Sequence, residues 1–172
     1  MTPVADPALE IRLTDHKGRG VFACESIAAG RRILEFQGRV LATADLTDDL
    51  MAMQIDTELW LCSDGSLLDD CVNHSCAPNA GFRDGQAVLY ALRDIAKGEE
   101  IVWDYSTSIS ELGWRLECRC GLPGCRGVVR SWGELDEADR VRLRSIALRY
   151  LRDSGNSGQL SNFARDFGAA AG

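Results

Sequence analysis

The sequence predicts a mainly β fold with a few short helices, and two observations carry that expectation. Through the first two-thirds of the chain, apolar runs recur that are too short for helices, each closed by turn residues. No alternation of these runs with long helical patterns occurs, which excludes the βαβ class. The runs are Ile11 to Leu13, Val21 to Cys24, Ile33 to Phe36, Met53 to Ile55, Leu59 to Cys62, Ala87 to Leu92 and Ile101 to Trp103. Between them stand Lys17-Gly18-Arg19-Gly20, Ala29-Gly30, Ser63-Asp64-Gly65, Asp84-Gly85 and Lys97-Gly98, all of them turn chemistry. Thr43 to Met51 reads as a short helix with Thr43 as N-cap. Leu143, Ile146, Ala147, Tyr150 and Leu151 recur at helical spacing, so Asp136 to Asp153 is expected to form one amphipathic helix. The Gly- and Ser-rich tail from Ser154 is expected to be loose.

Length and charge narrow the function. A chain of 172 residues, 45% hydrophobic, can bury one sizeable core and little more. Its net charge of -7 argues against direct nucleic-acid binding, which needs clustered Lys and Arg, and suits a basic partner better. No apolar run is long enough to span a membrane, and the N-terminus lacks a charged segment followed by an apolar core. The expected location is therefore cytoplasmic, or nuclear in a eukaryotic cell. Oligomeric state leaves no signature.

Seven cysteines, several closely spaced, favour metal ligation over disulfides in a chain without an export signal. Cys118-Arg119-Cys120-Gly121-Leu122-Pro123-Gly124-Cys125 presents three thiols, and the stretch from Trp114 to Gly127 is too poor in apolar residues to hold itself together without a metal. A structural zinc site takes four ligands, and Cys76 is the candidate for the fourth. A rival cluster of Cys71, His74 and Cys76 is a second arrangement. Cys24 and Cys62, with Cys71, read as small buried fillers. Gly18-Arg19-Gly20-Val21-Phe22-Ala23 formally matches the dinucleotide fingerprint, but a strand-like run follows it where that motif needs a helix.

The remaining motifs are Asn73-His74-Ser75-Cys76-Ala77-Pro78-Asn79, a loop dense in hydrogen-bonding groups, and Gly98-Glu99-Glu100-Ile101-Val102-Trp103-Asp104-Tyr105, a turn feeding a strand. The order of Gly-x-Gly, this loop, this strand and the spaced cysteines resembles the SET domain followed by its post-SET zinc segment. The match runs from about Ile11 to Val128. The resemblance implies a β-clip fold of small curved sheets with a threaded C-terminal segment, bringing the Asn73 and Tyr105 segments together. It divides the chain into a SET domain over 8–113 with a variable insert at 43–70, a post-SET segment over 114–130 and a C-terminal extension over 131–172. It implies a protein-lysine N-methyltransferase using S-adenosylmethionine, with zinc on Cys76, Cys118, Cys120 and Cys125. Lys17, Gly18, Arg19, Gly20, Asn73 and His74 would hold the cofactor, Leu116 would close an apolar lid over its adenine, and Tyr105 would be both a cofactor contact and the catalytic tyrosine. Phe36, Phe82 and Trp103 would line the lysine channel.

Methyl transfer to an amine is an in-line displacement that needs positioning and a neutral lysine, which an apolar channel favours. Phe36 and Trp103 depart from the family, which often has tyrosine at the first place and phenylalanine or tyrosine at the second. The channel is therefore expected to be apolar, unless Trp103 serves the core instead. The acidic stretch from Asp45 to Glu58 is either a solvated face or a groove wall attracting a basic, histone-like segment. The competing functions are a SET-fold module that binds cofactor or peptide without turnover, and a zinc-stabilised interaction domain.

Overall fold

A computed structural model of the chain describes residues 6–83 and 85–153. The expected loose tail from Ser154, Asp84 of the Asp84-Gly85 turn and residues 1–5 lie outside them. The architecture is the mainly β one expected. Strands β1 (Leu9–Leu13), β2 (Arg19–Ala23), β3 (Arg32–Glu35), β4 (Arg39–Ala42), β5 (Met51–Asp56), β6 (Leu59–Ser63), β7 (Asn73–His74), β8 (Ala80–Phe82), β9 (Val88–Ala91), β10 (Glu100–Trp103), β11 (Arg115–Glu117) and β12 (Val128–Arg130) form four small sheets. Their orders are β1-β2-β10-β7, β3-β9-β8, β4-β6-β5 and β11-β12.

Each expected run became a strand, and β10 shows the period of two, with Ile101 and Trp103 facing the core while Glu100 and Val102 are only half-buried. The main core gathers Val21, Ile101, Ile33, Phe82, Leu89, Ile55 and Leu61 from three of the sheets. A smaller cluster of Trp60, Cys62 and Ile109 lies against Leu41, Leu50 and Trp114. Among the described residues no helix is long and apolar enough to cross a membrane.

The site depends on β10. It lies between antiparallel β2 and parallel β7, with Ile101 opposite Val21, Val102 opposite Asn73 and Trp103 opposite His74. Two segments distant in sequence are thereby joined, as the family resemblance implied.

Three local expectations need correction. Thr43 to Met51 forms only a 3-10 turn over Thr43–Asp45 before the chain reaches β5. The Thr43 hydroxyl accepts a hydrogen bond from the Trp60 indole at 3.0 Å and is not free to cap a helix. The single helix expected from Asp136 to Asp153 is broken into α1 (Glu137–Leu143), a 3-10 turn and α2 (Arg149–Asp153). Ala147 turns extended so that the Leu148 amide donates to Thr107 O at 2.9 Å and its side chain enters the core. Tertiary contact thus overrides the periodicity. Ile146 in that turn packs on Gly81 of β8, where an added Cβ would stand 2.7 Å from the isoleucine Cβ. Finally, Cys62 and Cys71 are buried as expected, but Cys24 is only half-buried, at the end of β2.

Candidate functional site

Where the Gly-x-Gly turn meets β7 and β10, a polar network ties the three together. Gly18 takes a left-handed φ of 74°, and Gly20 is pressed so closely that a Cβ would meet Glu100 Oε1 at 2.7 Å and Asn73 Nδ2 at 3.0 Å. Asn73 Nδ2 donates to Arg19 O at 2.8 Å and to Glu100 Oε1 at 2.9 Å, while Lys17 Nζ pairs with Glu100 Oε2 at 2.6 Å. Lys17, Gly18, Arg19, Gly20 and Asn73 therefore share one surface, organised by Glu100, a residue the sequence reading quoted but gave no role.

His74 stands behind them, buried. Burial lowers its pKa to about 4 against the opposing pull of Asp104, so the ring is neutral at physiological pH. Nδ1 accepts the Tyr105 amide at 3.2 Å. The proton therefore sits on Nε2, which lies 3.4 Å from Cys76 Sγ.

Tyr105 opens a 3-10 turn capped by Asp104, whose side chain accepts from the Ser106 amide. Its hydroxyl donates to Val72 O at 2.9 Å, and burial, then the Glu100 charge, push its pKa far above the ordinary tyrosine value. Tyr105 is thus a protonated donor whose oxygen keeps lone pairs to offer.

This tyrosine borders a cavity of ≈ 170 Å³. Phe36, Val72, Trp103 and Tyr105 line it, together with Met51 to Gln54 of β5, Ile109 and Trp114. Trp103 is 5% exposed and packs against Phe36, Phe82 and Tyr105 with centroids 5.6, 5.0 and 4.9 Å away. It belongs to the core and to the cavity wall at once, so the two readings of it are not exclusive. Its indole Nε1 is buried and finds no hydrogen-bond partner among the described residues. Phe82 lies behind Trp103, 1% exposed, outside the lining. Asp69 and Asp70 also border the cavity, accepting the Gln37 amide and the Ser63 hydroxyl. The Asp69 contribution escaped the sequence reading, because nothing local ties it to residue 105, whereas β5 falls within the Asp45 to Glu58 stretch offered there as a groove wall.

The cysteines converge. Sγ atoms of Cys76, Cys118, Cys120 and Cys125 all lie within 4.8 Å of one another, close to the spacing of a tetrahedral thiolate site with metal–sulfur bonds of about 2.3 Å. Donors from His74 Nε2 and the Arg126 amide, 3.5 Å away, point at Cys76 Sγ, as suits a thiolate. This donor set fits zinc. Cys71, whose thiol faces Leu67 O at 3.8 Å, takes no part, so the rival cluster does not form. Strands β11 and β12 hold the group between them, with the Cys118 amide on Gly127 O at 2.8 Å. Leu116 sits on β11, 39% exposed.

Arg126, which the sequence reading passed over, fills the space between this cluster and the Tyr105 turn. Its Nη2 reaches both oxygens of Asp104, at 2.7 and 2.6 Å, where Asp104 is fully buried. A residue directly following the last cysteine is a signal only once its partner, 22 positions back, is known.

Comparison with known proteins agrees with this geometry. The family described as SET domain matches residues 18–106, just over half of the chain. Histone-lysine N-methyltransferase ash1 of Drosophila melanogaster is 34% identical over 140 residues, covering 72% of this chain and 6% of that protein. Histone H3-lysine(4) N-trimethyltransferase ATX1 of Arabidopsis thaliana is 33% identical over 131 residues, 65% of this chain and 12% of that protein. This chain therefore corresponds to a small part of those relatives. Among solved structures, KRYPTONITE in complex with mCHG DNA and SAH shares the fold with a TM-score of 0.60 at 29% identity, covering 72% of this chain and 29% of that one. The same protein with mCHH DNA, an H3(1-15) peptide and SAH gives a TM-score of 0.58, also at 29% identity. With its motifs, their meeting at β10 and the matched span in agreement, this chain belongs to the SET domain family.

Proposed function

We propose that this chain is a protein-lysine N-methyltransferase that uses S-adenosylmethionine and holds one zinc on Cys76, Cys118, Cys120 and Cys125. The single observation that carries the reading is the cavity bordered by Tyr105 beside the junction of β7 and β10, with the Lys17–Gly20 and Asn73 surface built on the same junction. Bound S-adenosylmethionine would supply an electrophilic methyl group on its sulfonium.

The chain's residues account for the rest. Lys17, the Gly18–Gly20 backbone, Asn73 and His74 bind and orient the cofactor, and Leu116 covers it from β11. Phe36, Val72 and Trp103 exclude water from the lysine amine, and this apolar wall favours its neutral, nucleophilic form. Tyr105 donates its proton to Val72 O, so its oxygen lone pairs can accept C–H···O contacts from the polarised methyl. Phe82 acts from behind, fixing Trp103.

The substrate is a lysine in a basic, extended segment. Strand β5 is one of the two outer members of its sheet, and Met51 to Gln54 border the cavity, so a peptide pairing with β5 would deliver a side chain into it. Asp69 and Asp70 at that border favour a cationic segment. Relatives named for histone lysines, and a neighbour solved with an H3 peptide, support a histone or histone-like protein. The chain divides into a SET unit over 8–113 with its insert at 43–70, a post-SET zinc segment over 114–130 and an extension over 131–172.

The test is incubation of the protein with labelled S-adenosylmethionine and a panel of basic proteins, with modified lysines located by mass spectrometry. Tyr105→Phe should lower kcat on the order of tenfold or more while leaving cofactor Kd unchanged. Cofactor binding without transfer to any lysine would favour the binding-module reading instead.

A further inference from the structure

We infer that Arg126 is a positioning residue for the Tyr105 turn, a strut that makes the alignment of the acceptor hydroxyl depend on closure of the cysteine hairpin. The inference rests on the methyltransferase reading above and adds to it a residue that touches neither substrate nor cofactor.

Asp104 is 0% exposed and carries a carboxylate into the core directly before Tyr105. Such a charge is tolerated only when paired and hydrogen-bonded. Its partner is Arg126, 15% exposed, reaching both carboxylate oxygens. The same carboxylate oxygen Oδ1 accepts the Ser106 amide at 3.1 Å, and Arg126 Nη1 lies 3.4 Å from the Ser106 hydroxyl. The guanidinium thus fixes the carboxylate, and the carboxylate fixes the first turn after Tyr105.

At its other end Arg126 is bound to the cysteine cluster. It directly follows Cys125, and its amide faces Cys76 Sγ at 3.5 Å. Helix α1 braces it: Asp139 lies 3.6 Å from Arg126 Nη1 and also holds Arg142, whose Nη1 lies 3.4 Å from Cys76 O. His74 closes the loop by accepting the Tyr105 amide on one nitrogen while facing Cys76 with the other. The Tyr105 backbone is therefore held from two sides, and both supports end on the cysteine cluster.

A small displacement here is costly, because misplacing a reacting group by about 1 Å can lower a rate about 100-fold. The planar fork of arginine matters as well as its charge, since Nη2 spans the two Asp104 oxygens while Nη1 faces Ser106 and Asp139, a division that the single ammonium of lysine does not reproduce.

The experiment compares wild type with Arg126→Ala, Arg126→Lys and the double variant Arg126→Ala/Asp104→Asn. It measures kcat and KM with S-adenosylmethionine and an unmodified peptide that carries the target lysine, bound zinc, thermal stability and amide exchange. Arg126→Ala should keep one zinc per chain and both KM values within about twofold, while kcat falls about 100-fold. Exchange at Ser106 should accelerate well beyond that of Ile101. Millimolar guanidinium should restore part of the alanine variant's rate and leave wild type unaffected, and Arg126→Lys should fall between the two. The double variant removes the orphaned carboxylate, so it should regain stability without regaining kcat, which separates positioning from folding and keeps the test decisive if Arg126→Ala folds poorly. The inference is overturned if kcat is unchanged, if it returns on adding zinc alone, or if it recovers together with stability. Should wild type transfer no methyl group, the functional reading fails by itself, and Ser106 exchange still decides whether Arg126 holds the turn.

Discussion

The β core and the cysteine hairpin hold their shapes by different means. From Val21 to Trp103 the chain buries Ile27, Ile33, Phe82, Leu89, Ile95 and Ile101 to 1% exposure or less. From residue 114 to residue 128, by contrast, no side chain is fully buried, and Leu116 and Leu122 stand 39% and 41% exposed. The first region loses apolar surface to its own interior, which is the dominant favourable contribution to folding. The second has no interior, only four converging thiols, a two-stranded ladder and the Arg126–Asp104 pair. Stability of the scaffold and competence of the site are thus separable, and the proposed acceptor Tyr105 lies on the boundary between them.

That separation can be attacked directly, beginning with the largest effect. Structural zinc in small zinc-dependent modules contributes about 10–16 kcal/mol of apparent binding free energy, so stripping it, or introducing Cys120→Ser, should leave residues 114–127 exchanging as open chain. The main melting transition should shift by only a few degrees, followed by near-UV circular dichroism. If chelation instead melts the whole protein in one step, the two regions are a single cooperative unit.

The converse experiment is Ile101→Ala in the fully buried centre of β10. Loss of a buried isoleucine should cost about 2–5 kcal/mol in denaturant unfolding while the folded fraction retains its zinc. Metal loss preceding unfolding would contradict the comparison.

Trp103 sharpens it at the boundary. Trp103→Phe removes a ring from the cavity wall together with an indole N–H that has no partner among the described residues. The cavity penalty and the relief of an unmet donor, each about 1–3 kcal/mol, oppose one another, so the net loss should be small. With more room for a methylated amine to turn, products should shift toward higher methylation, read as the mono-, di- and trimethyl-lysine ratio at matched turnover. A sharp fall in melting temperature with an unchanged ratio would restrict Trp103 to packing.

The smallest effect concerns Glu99. Hydrogen bonding by Arg93 and Asn79 holds its pKa down to about 2, below the ordinary value of 4.5. A depressed carboxylate stabilises the fold at pH above 4.5, and that contribution drains away as pH falls toward 2. Because Arg93 is 56% exposed, solvent screens the pair and the effect should be modest. Thermal melts across that window should fall less steeply for Glu99→Gln than for wild type.

The strands were legible because alternation and glycine turns are local signals: Val21 to Cys24 and Ile101 to Trp103 declare themselves, and Gly18, Gly30 and Gly98 all adopt left-handed φ. Three of the cysteines that converge were legible because their spacing is unusual, and Cys76 because a structural zinc site wants a fourth ligand. What stayed hidden is whatever depends on a partner elsewhere in the chain. Thr43 looks like a helix cap until Trp60 claims its hydroxyl, and Leu148 looks like one more residue of a helical stripe until Thr107 offers it a carbonyl. Arg126 is one of many arginines until Asp104 is found buried opposite it. Likewise Asp69 borders the cavity only through the fold around it, which its own stretch of sequence does not reveal.

The position of β10 also sets an order of events during synthesis. Its neighbours β2 and β7 emerge from the ribosome well before it, yet they share no backbone ladder with each other, and the slot between them can be filled only when residues 100–103 arrive. Contacts of such long sequence separation make folding slow, because the loop must close before any contact repays it. Until then the edge of β2 that faces β10 stays unpaired, and a chaperone that binds such edges would meet this chain before its strand does.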